Sequence, residues 1–503
     1  MPAYWDTSGS LRPFPKLTRD GRADVVVIGG GLTGITTAFL LKRSGKTVAL
    51  LERGKLVTGD TACTTAHLTC VTDTRLSQLV KSFGADHARA VWDAGLAAIA
   101  QVADLVESEQ IDCGFAFVPG YLHLRGGQPP VDADIRDLRI EAEQAADLGF
   151  DAEFVERAPL VARPAVEVRD QARFHPRQYL SALIRAIEGD GCAIYEHAPA
   201  DTVEADPLAV VVGDHRIRCD DVVVATHNPI VGKAGLIGAT LLQTKLALYT
   251  SYAVAGKTQP GVIPDALYWD TGDPYRYLRI DRRKGFDVAI LGGEDHKTGQ
   301  ADDNSARFDA LSAALREIAP DVEVTWKWSG QVIETNDGLP FIGEMAPHQF
   351  VATGFSGNGM TFGTLAAMMA RDALTGVENP WRELFEVGRT KIRGGLWDYL
   401  KENKDYPYYL IRDRFAGADG KSTRAVRRGS GKILDLNGKR VAAYRHPNGT
   451  LSLRSAVCTH MGCLVAWNDA ESTWDCPCHG SRFSKTGDVI AGPAEAPLGT
   501  LDE

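Results

Sequence analysis

The sequence has no long apolar run and no excess of basic residues. No apolar stretch approaches the roughly 18 residues of a transmembrane helix, and the first residues lack the apolar segment of a secretory signal. Lysine and arginine total 55 against 65 acidic residues, which gives a formal net charge of −10. Nucleic-acid binders usually carry a basic surface. We therefore expect a cytoplasmic protein with no membrane span and no nucleic-acid partner.

Cysteine is too sparse for a disulfide scaffold. The chain has only 9 cysteines in 503 residues, and those before residue 220 are scattered. The others crowd between residues 458 and 478, which favours a metal site in a module of its own. Apolar residues make up 44% and charged residues 24% of the chain, which excludes a disordered protein. The length suits about two to four domains.

A strand, a glycine-rich turn and a helix follow one another near the start of the chain. Residues 24–28 form a continuous apolar, β-branched run, which is typical of a buried parallel strand. The segment Gly29-Gly-Gly-Leu-Thr-Gly34 follows without a gap, and residues 35–44 have helical periodicity. Residues 47–51 form a second apolar run that ends at Glu52. In this βαβ context the glycine pattern predicts a dinucleotide-binding site.

Each glycine of this pattern has a separate role. Gly29 permits the tight turn, Gly31 lets the backbone approach a diphosphate, and Gly34 lets the helix pack on the strand. The helix N-terminus offers free N–H groups and the positive end of its dipole to the phosphates. An acid at the end of the second strand would accept hydrogen bonds from a ribose. The predicted dinucleotide-binding residues are Gly29, Gly30, Gly31, Leu32, Thr33, Gly34, Glu52 and Arg53.

The local pattern does not distinguish FAD from NAD, but later motifs do so through a resemblance. They are His175-Pro-Arg-Gln-Tyr-Leu, Asp221-Val-Val-Val-Ala-Thr226, Trp328-Ser-Gly-Gln331 with Asp337-Gly-Leu-Pro-Phe-Ile-Gly343, and Gly354-Phe-Ser-Gly-Asn-Gly-Met-Thr-Phe-Gly363. Their order resembles that of the D-amino-acid oxidase-like flavoenzymes, which include glycine, sarcosine and dimethylglycine oxidoreductases. The resemblance covers residues 20–385. It implies a bound FAD and oxidation of a C–N bond by hydride transfer to the flavin.

The resemblance also implies a fold. We expect an α/β Rossmann-type FAD-binding domain with an inserted, mainly antiparallel α+β substrate domain, followed by a small all-β domain. The FAD-binding parts are expected at about 20–75, 170–235 and 330–385, and the substrate-domain parts at about 76–169 and 236–329. A helix and linker would occupy residues 386–425, and the all-β domain residues 426–503.

A second glycine-rich turn, which begins at Gly354, is assigned to the flavin. In such a fold its N–H groups would stabilise charge on the reduced ring. Cys63 is placed near the position where some related dehydrogenases join a histidine covalently to the flavin. A thiol could form such a link, the alternative is a buried cysteine beside the ring, and His67 matches the position less well. The residues assigned to the flavin here are Ser356, Gly357, Asn358, Gly359, Met360 and Thr361, with Asn358 at a place where the family often has histidine.

The cysteines near the C-terminus are interleaved with histidines. Cys458-Thr-His-Met-Gly-Cys463 is followed by Cys476-Pro-Cys-His-Gly-Ser481. Each half offers one thiolate and one imidazole, and two cysteines with two histidines could also hold zinc. A zinc finger, however, would have two closely spaced cysteines followed by a pair of histidines, and the order here is different.

The arrangement resembles a Rieske [2Fe–2S] domain of the type whose two loops are tied by a disulfide. The resemblance covers residues 426–503. Imidazole in place of thiolate leaves the cluster less negative, so its potential would lie at about −150 to +300 mV. Ser481 could donate a hydrogen bond to a cluster sulfur. The implied iron ligands are Cys458 and Cys476 on one iron and His460 and His479 on the other, and the implied disulfide joins Cys463 and Cys478.

Few residues suggest how a substrate would bind. Relatives that act on amino acids use an arginine in the corresponding sheet, because arginine binds carboxylates bidentately. Arg276 and Arg279 are three residues apart on a predicted strand, on opposite faces, so one could point inward, and surface arginines are the alternative. No general base is assigned. The candidate catalytic or substrate-pocket residues are Arg276, Arg279 and Tyr252, and weaker candidates are His227, Lys245, Tyr249 and His296.

The two expected cofactors differ in how many electrons they carry. The first hypothesis is therefore an FAD-dependent dehydrogenase of an amine or amino acid that passes electrons singly to the cluster and then to an external acceptor. That acceptor could be a protein, a quinone or O2. One alternative is an oxidase that returns electrons to O2 and has a regulatory or structural Rieske domain. The other is a protein-to-protein electron-transfer or redox-sensing module.

Overall fold

The computed structural model describes residues 3–8, 11–127, 129–229, 242, 245–301, 303–389, 418–420, 422–460, 462–494 and 496–501. Strands and helices within them are numbered in chain order. Helices α1 to α9 are Leu32–Arg43, Asp60–Cys63, Leu76–Phe83, Ala85–Ser108, Asp132–Asp147, Pro176–Ile187, Ser305–Ile318, Gly359–Thr375 and Arg382–Phe385. Short 3-10 helices lie at Tyr4–Ser8 and Thr423–Ala425.

A six-stranded sheet holds the first glycine-rich turn at one edge. Neighbouring strands are parallel except for the outermost pair, which is antiparallel. Strands such as the Val25–Ile28 run are buried on both faces, as continuous β-branched sequence predicts. In spatial order the strands are β18 (Phe341–Ala346), β19 (Gln349–Thr353), β12 (Asp221–Val224), β2 (Val25–Ile28), β3 (Val48–Leu51) and β8 (Ala193–Tyr195).

Alternate residues of this sheet pack against two different layers. Val25 and Val27 belong to the large core that includes helices α1 and α8. Val26 and Ile28 pack instead against a four-stranded sheet on the opposite face. The alternation follows the two-residue period of a strand. The covering sheet has the order β1 (Gly21–Arg22), β11 (His215–Arg218), β10 (Leu208–Val212) and β9 (Thr202–Ala205).

A nine-stranded sheet forms the second large part of the molecule. Its pairings are antiparallel except for one parallel pair between β14 and β5. Helix α7 packs on its long strands. The spatial order is β17 (Glu323–Thr335), β13 (Leu246–Thr258), β16 (Phe286–Lys297), β15 (Tyr277–Arg283), β14 (Leu267–Asp270), β5 (Ala116–His123), β7 (Ala165–Arg173) and β4 (His67–Leu68), with β6 (Ala152–Val155) paired to β7.

The C-terminal residues form two small antiparallel sheets around a separate core. That core contains Trp474 and Phe483 together with the buried Cys458, Cys463 and Cys476. The first sheet comprises β20 (Gly431–Leu436), β21 (Lys439–Arg445) and β22 (Leu451–Ser455), and the second β23 (Ala466–Asn468), β24 (Thr473–Asp475), β25 (Arg482–Ser484) and β26 (Val489–Ala491).

The architecture confirms the expected fold class. A parallel sheet, a mainly antiparallel second sheet and a small all-β unit are all present. The domain boundaries stay predictions, and most of the expected linker at 386–425 lies outside the described residues. None of the helices in the described parts of the chain is both long and apolar enough to cross a bilayer.

Candidate functional site

A cavity of about 1130 Å³ lies between the six-stranded sheet, the nine-stranded sheet and the second small sheet of the C-terminal unit. Its wall includes the first glycine-rich turn, the second glycine-rich turn and the ends of strands from the nine-stranded sheet. The loop and strand at Val489–Gly492, Ala494 and Ala496 of the C-terminal unit line it too. The cavity is therefore completed by both halves of the chain.

The dinucleotide end of the cavity is built from main chain at the carboxyl ends of strands. Gly29 has φ +115°, and a Cβ there would overlap the carbonyl oxygen of Ala225. Gly31 is the N-cap of α1 and has no side chain to cap the helix. The Glu52 carboxylate accepts hydrogen bonds from the N–H groups of Gly30 (2.7 Å) and Gly54 (2.6 Å). A backbone turn before a helix N-terminus, beside a fixed acid, fits a dinucleotide.

The predicted dinucleotide-binding residues are nearly all in the wall. Gly34 is the exception, because it faces the strand and a Cβ there would overlap the carbonyl oxygen of Gly29. That placement agrees with a packing role for Gly34. Thr61, which the sequence did not single out, accepts a hydrogen bond from the Leu32 N–H at 3.0 Å. The residues of the set that line the cavity are Gly29, Gly30, Gly31, Leu32, Thr33, Glu52 and Arg53.

The segment assigned to the flavin leads into α8, whose first turns pack against the start of α1. Ser356, Gly357, Asn358, Gly359 and Met360 line the cavity. Asn358 is the N-cap residue of α8, and its Nδ2 donates to the carbonyl oxygen of Val71 at 2.7 Å. Thr361 is not in the wall, since its hydroxyl donates to the carbonyl oxygen of Thr69 at 2.8 Å. The side chains of Asn358 and Thr361 therefore anchor the turn.

Cys63 lies in the cavity wall at the end of α2. Burial, with the nearby carboxylates of Asp60 and Glu471, raises the pKa of its thiol to about 12. A protonated thiol is a poor nucleophile. Cys63 is half-buried in the wall, and both the covalent link and the thiol beside the ring stay predictions. His67 also lines the cavity, and burial lowers the pKa of its imidazole to about 3.

Neither of the two candidate arginines is among the residues that line the cavity, and their assignment to a substrate pocket stays a prediction. Arg279 is 0% exposed, and its Nη1 donates to the carbonyl oxygens of Ala66 (2.7 Å) and Phe174 (3.1 Å). Arg276 pairs with Glu294 at 2.7 Å. Arg276 lies just before strand β15 rather than on it, and the protein itself supplies partners for both side chains.

Tyr252 does reach the wall, but its hydroxyl is already engaged. It donates to Asn304 Oδ1 at 2.7 Å and lies 3.0 Å from His296 Nε2. His227 also lines the cavity, and its Nε2 lies 3.2 Å from the carbonyl oxygen of Gln331. The weaker candidates Lys245, Tyr249 and His296 are not in the wall.

Polar residues that the sequence did not single out occupy the end of the cavity beneath the nine-stranded sheet. The Tyr275 hydroxyl donates to Asp73 Oδ1 at 2.8 Å, and the Tyr277 hydroxyl lies 2.6 Å from Ser251 Oγ. Asp295 completes the group. Burial raises the pKa of Asp73 to about 7 and that of Asp295 to about 6. Single acids and tyrosines carry no sequence signal that would have separated them from ordinary residues.

The cysteine and histidine loops of the C-terminal unit bring the predicted ligands together. The His460 and His479 rings have centroids 4.9 Å apart. The Cys458 thiol beside Cys476, followed by burial, raises the pKa of Cys476 well above its usual value. The buried Nδ1 of His460 has no hydrogen-bond partner. Two neighbouring thiols and a buried imidazole nitrogen without a partner fit a metal cluster that takes two Cys and two His.

The remaining cysteines and a covering loop hold these ligands in place. Cys463 and Cys478 form a disulfide between the two loops. The hydroxyl oxygen of the fully buried Ser481 accepts a hydrogen bond from the Ala494 N–H at 3.1 Å, which leaves its proton available for donation. Thr459 donates to the carbonyl oxygen of Ala496 at 2.6 Å, so the loop after Gly492 is fixed over the first ligand loop.

The second ligand loop packs directly on the nine-stranded sheet. Gln331 Nε2 donates to the carbonyl oxygen of Gly480 at 2.8 Å, and Gln300 Nε2 donates to that of Pro477 at 3.0 Å. A Cβ on Gly299 would lie 2.7 Å from the carbonyl carbon of Cys476, so the two backbones are in close contact. Nearby, Ser329 donates to Glu471, which also pairs with Arg482 at 2.5 Å.

Family models match both the part of the chain that holds the glycine turns and the C-terminal unit that holds the cysteine and histidine loops. The family model described as FAD dependent oxidoreductase (DAO) matches residues 24–373, well over half of the chain. The chain belongs to the DAO family of FAD-dependent oxidoreductases. The Rieske [2Fe-2S] domain model matches residues 420–502. Both resemblances drawn from the sequence are thereby confirmed, and the zinc alternative is set aside.

Individual relatives extend the match. The putative Rieske 2Fe-2S iron-sulfur protein YhfW of Bacillus subtilis is 34% identical over 506 residues, covering 99% of this chain and 97% of the relative. Among solved structures, glycine oxidase from Geobacillus kaustophilus has a TM-score of 0.60 at 19% identity and covers 74% of this chain and 99% of its own. L-proline dehydrogenase from P. horikoshii has a TM-score of 0.58 at 18% identity, and the match covers 73% of this chain and 97% of that structure. These two structures support the fold.

The cofactors follow from the two families and from the residues in place. Members of the first family bind FAD, and the second domain binds a [2Fe–2S] cluster. This DAO-family chain presents the glycine turns and the fixed acid that fit FAD, and the two Cys and two His that fit the cluster. The residue-by-residue assignment of cofactor contacts stays a prediction.

Proposed function

We propose that the protein is an FAD-dependent dehydrogenase of an amine or amino acid that passes electrons singly to its own Rieske cluster and then to an external acceptor. The observation that carries the proposal is the 2.8 Å hydrogen bond from Gln331 to the carbonyl oxygen of Gly480. Gln331 lines the cavity, and Gly480 directly follows the predicted ligand His479. One side chain therefore contacts both cofactor sites.

The cofactors supply the redox chemistry, and the residues of the chain position the substrate and the cofactors. When bound, FAD accepts two electrons from a C–N bond, and a [2Fe–2S] cluster carries one electron at a time. The solved relatives named a glycine oxidase and an L-proline dehydrogenase support an amine or amino acid as the substrate. The N-terminus of α8 lies in the cavity wall, where its free N–H groups would stabilise negative charge.

The Rieske domain is also a structural part of the cavity. Val489, Ile490 and Ala491 lie in its wall, and Arg53 of the dinucleotide end donates to the carbonyl oxygen of Ile490 at 3.1 Å. If the Rieske domain moved away, it would open this wall to water. A Rieske domain that forms part of the cavity wall suits direct electron transfer from FAD to the cluster better than a domain that detaches to carry electrons elsewhere.

The deciding experiment is anaerobic mixing of the purified protein with a panel of amines, N-methylated amino acids and D-amino acids. Flavin bleaching is followed optically, and the reduced cluster by EPR in the same samples. We expect one class to bleach the flavin and the Rieske signal to grow at the same time. Bleaching with an oxidised cluster and rapid reoxidation by O2 would instead establish an oxidase. A flavin that no amine reduces would favour the protein-to-protein electron carrier.

Gln331→Met tests the contact itself. The substitution keeps the side-chain length but removes the donor to Gly480. We expect flavin bleaching at the wild-type rate and slower growth of the cluster signal. Gln300→Met removes the other interdomain amide, which does not line the cavity, and serves as the matched control. Equal effects of the two variants would show that general docking matters, rather than the Gln331 contact.

A further inference from the structure

The end of the cavity beneath the nine-stranded sheet is acidic and aromatic. Its wall includes the rings of Tyr275, Tyr277 and Trp269 and the carboxylates of Asp73 and Asp295. The two tyrosine rings have centroids 5.5 Å apart. Aromatic faces and carboxylates both attract cations, and a carboxylate-binding site would need the opposite charge.

Asp73 is placed where a substrate would meet the flavin segment. A Cβ on Gly357 would lie 2.8 Å from Asp73 Oδ1, so the carboxylate contacts the turn assigned to the flavin. The Tyr275 hydroxyl holds the same oxygen at 2.8 Å. The Asp73 side chain is exposed and lines the cavity. A molecule bound in the cavity could therefore contact it.

Asp295 lies near the end of β16 and lines the same cavity. Its Oδ1 is buried and has no hydrogen-bond partner. The Ser251 hydroxyl lowers its pKa, but burial outweighs that contribution. Asp295 also raises the pKa of Asp73, which shows that the two carboxylates interact. A buried carboxylate oxygen without a hydrogen bond makes the charged form of Asp295 costly, and a cation in the cavity that Asp295 lines would offset part of that cost.

Within the described residues no lysine or arginine forms a salt bridge with either acid, although the nearby Arg307 guanidinium lowers the pKa of Asp295. Of the other acids in this part of the wall, Asp270 pairs with Arg125 at 3.0 Å, and Glu141 accepts from the N–H groups of Leu76 and Ser77. Arg75 also lines the cavity, but it forms no ion pair with Asp73 or Asp295. Asp73 and Asp295 are therefore left for a positively charged ligand.

We propose that the substrate is a cationic alkylamine without a carboxylate beside its nitrogen, and that Asp73 and Asp295 bind its ammonium among the rings of Tyr275, Tyr277 and Trp269. The inference rests on the proposed function, whose substrate it narrows. The cationic class differs from the amino acids for which the two solved relatives are named. An α-amino acid would bring its carboxylate into an acidic pocket, where like charges repel.

The test is calorimetric binding to the anaerobic holoprotein, with flavin bleaching recorded separately. The probes are 1,4-diaminobutane and N-methylbutylamine as cations, and N-methylglycine, glycine and D-alanine as zwitterions. We expect the cations to bind more tightly than the zwitterions. Asp73→Asn and Asp295→Asn should each weaken cation binding by about 30-fold or more, because each removes a charge partner from an enclosed site. Flavin content and melting temperature confirm that each variant is folded.

Two further variants separate the explanations. Asp73→Glu keeps the charge and should restore part of the affinity that Asp73→Asn loses. Arg75→Met should leave cation binding unchanged, whereas a substrate held by its carboxylate would need that guanidinium. Tighter binding of zwitterions that Arg75→Met weakens would overturn the inference and still leave the dehydrogenase proposal intact.

The remaining outcomes are equally decisive. Cation binding that neither asparagine variant changes, or no binding of any probe, contradicts the inference. Cations that bind through Asp73 and Asp295 but bleach no flavin would support the ammonium site. In that case it is the proposed amine oxidation that would fail.

Discussion

At the dinucleotide end of the cavity the predicted binding groups are main-chain atoms, whereas in the Rieske domain they are four side chains. The glycine turn around Gly29 is shaped by strand ends and a helix N-terminus, and its amides have protein partners such as Glu52. The Rieske loops bring two thiols and two imidazoles together, and one imidazole nitrogen of His460 has no such partner. The first site depends on the absence of side chains and the second on their presence.

The two sites should therefore be sensitive to opposite kinds of substitution. A main-chain site is damaged by an added atom, since a Cβ at Gly29 meets a neighbouring strand. A side-chain site is damaged by a removed atom, since no other residue can replace a thiolate ligand. Gln331 and Ser329 of the nine-stranded sheet form hydrogen bonds with Gly480 and Arg482 of the Rieske domain. Substitutions in the Rieske loops, in the glycine turn and at this junction test whether the two sites fail in different ways.

The largest effect is expected for Cys458→Ala. Removal of a predicted thiolate ligand should abolish the cluster, while the main-chain FAD site keeps its cofactor. Iron content, the Rieske EPR signal and flavin absorbance measure both sites in one sample. Cys219→Ala removes another buried thiol far from the loops and should leave iron unchanged. Retention of the cluster in Cys458→Ala would show that the ligand assignment is wrong.

Gly29→Ala should come next in effect. Its Cβ would overlap the Ala225 carbonyl oxygen, and φ of +115° disfavours any L side chain. Backbone strain and overpacking together should lower the free energy of unfolding by roughly 4 kcal/mol, and the variant should lose FAD. Gly45→Ala is the matched control, because Gly45 has φ +85° but nothing within 4 Å. It should cost about 1 kcal/mol and keep FAD. Similar FAD loss in both variants would argue against the close-contact explanation.

Arg482→Met tests the junction. Arg482 is buried between Asp475 (3.2 Å) and Glu471 (2.5 Å), and its Nη1 lies 3.4 Å from Ser329 Oγ. Loss of one member of a buried ion network leaves the others uncompensated and should cost about 3 kcal/mol. Chemical denaturation of the full chain measures this. Arg427→Met removes an exposed arginine of the same domain and should cost little, so equal losses would contradict the network's importance.

The smallest effect is a pH dependence at the acidic end of the cavity. Burial raises the pKa of Asp73 to about 7, whereas an unfolded aspartate titrates near about 3.9. Between these values the folded state holds a proton that the unfolded state has lost, so this contribution to stability is lost as pH rises through about 7. Asp73→Asn should therefore flatten the fall in melting temperature between pH 5 and pH 8. An unchanged slope, or the same change in the exposed-site control Asp104→Asn, would contradict this.

Local patterns predicted much of the fold. The β-branched runs became β2 and β12, and the periodicity after residue 175 became helix α6. The loop-tying disulfide between Cys463 and Cys478 is present as the resemblance implied. Arg279 shows the limit of such reading, because strand alternation orients a side chain but does not reveal that Ala66 and Phe174 offer carbonyl oxygens there.

Both cofactor sites could be predicted from local sequence, because each depends on residues close together in the chain: a turn between a strand and a helix, and cysteines beside histidines. What lies between those sites depends on the packing of distant segments. Asp73 and Asp295 line the same cavity although more than two hundred residues separate them, and Gln331 donates a hydrogen bond to Gly480 of the C-terminal unit. Such contacts depend on how sheets pack, and no short pattern records that. The charge of the substrate pocket and the contact between the two redox sites are therefore properties of the fold.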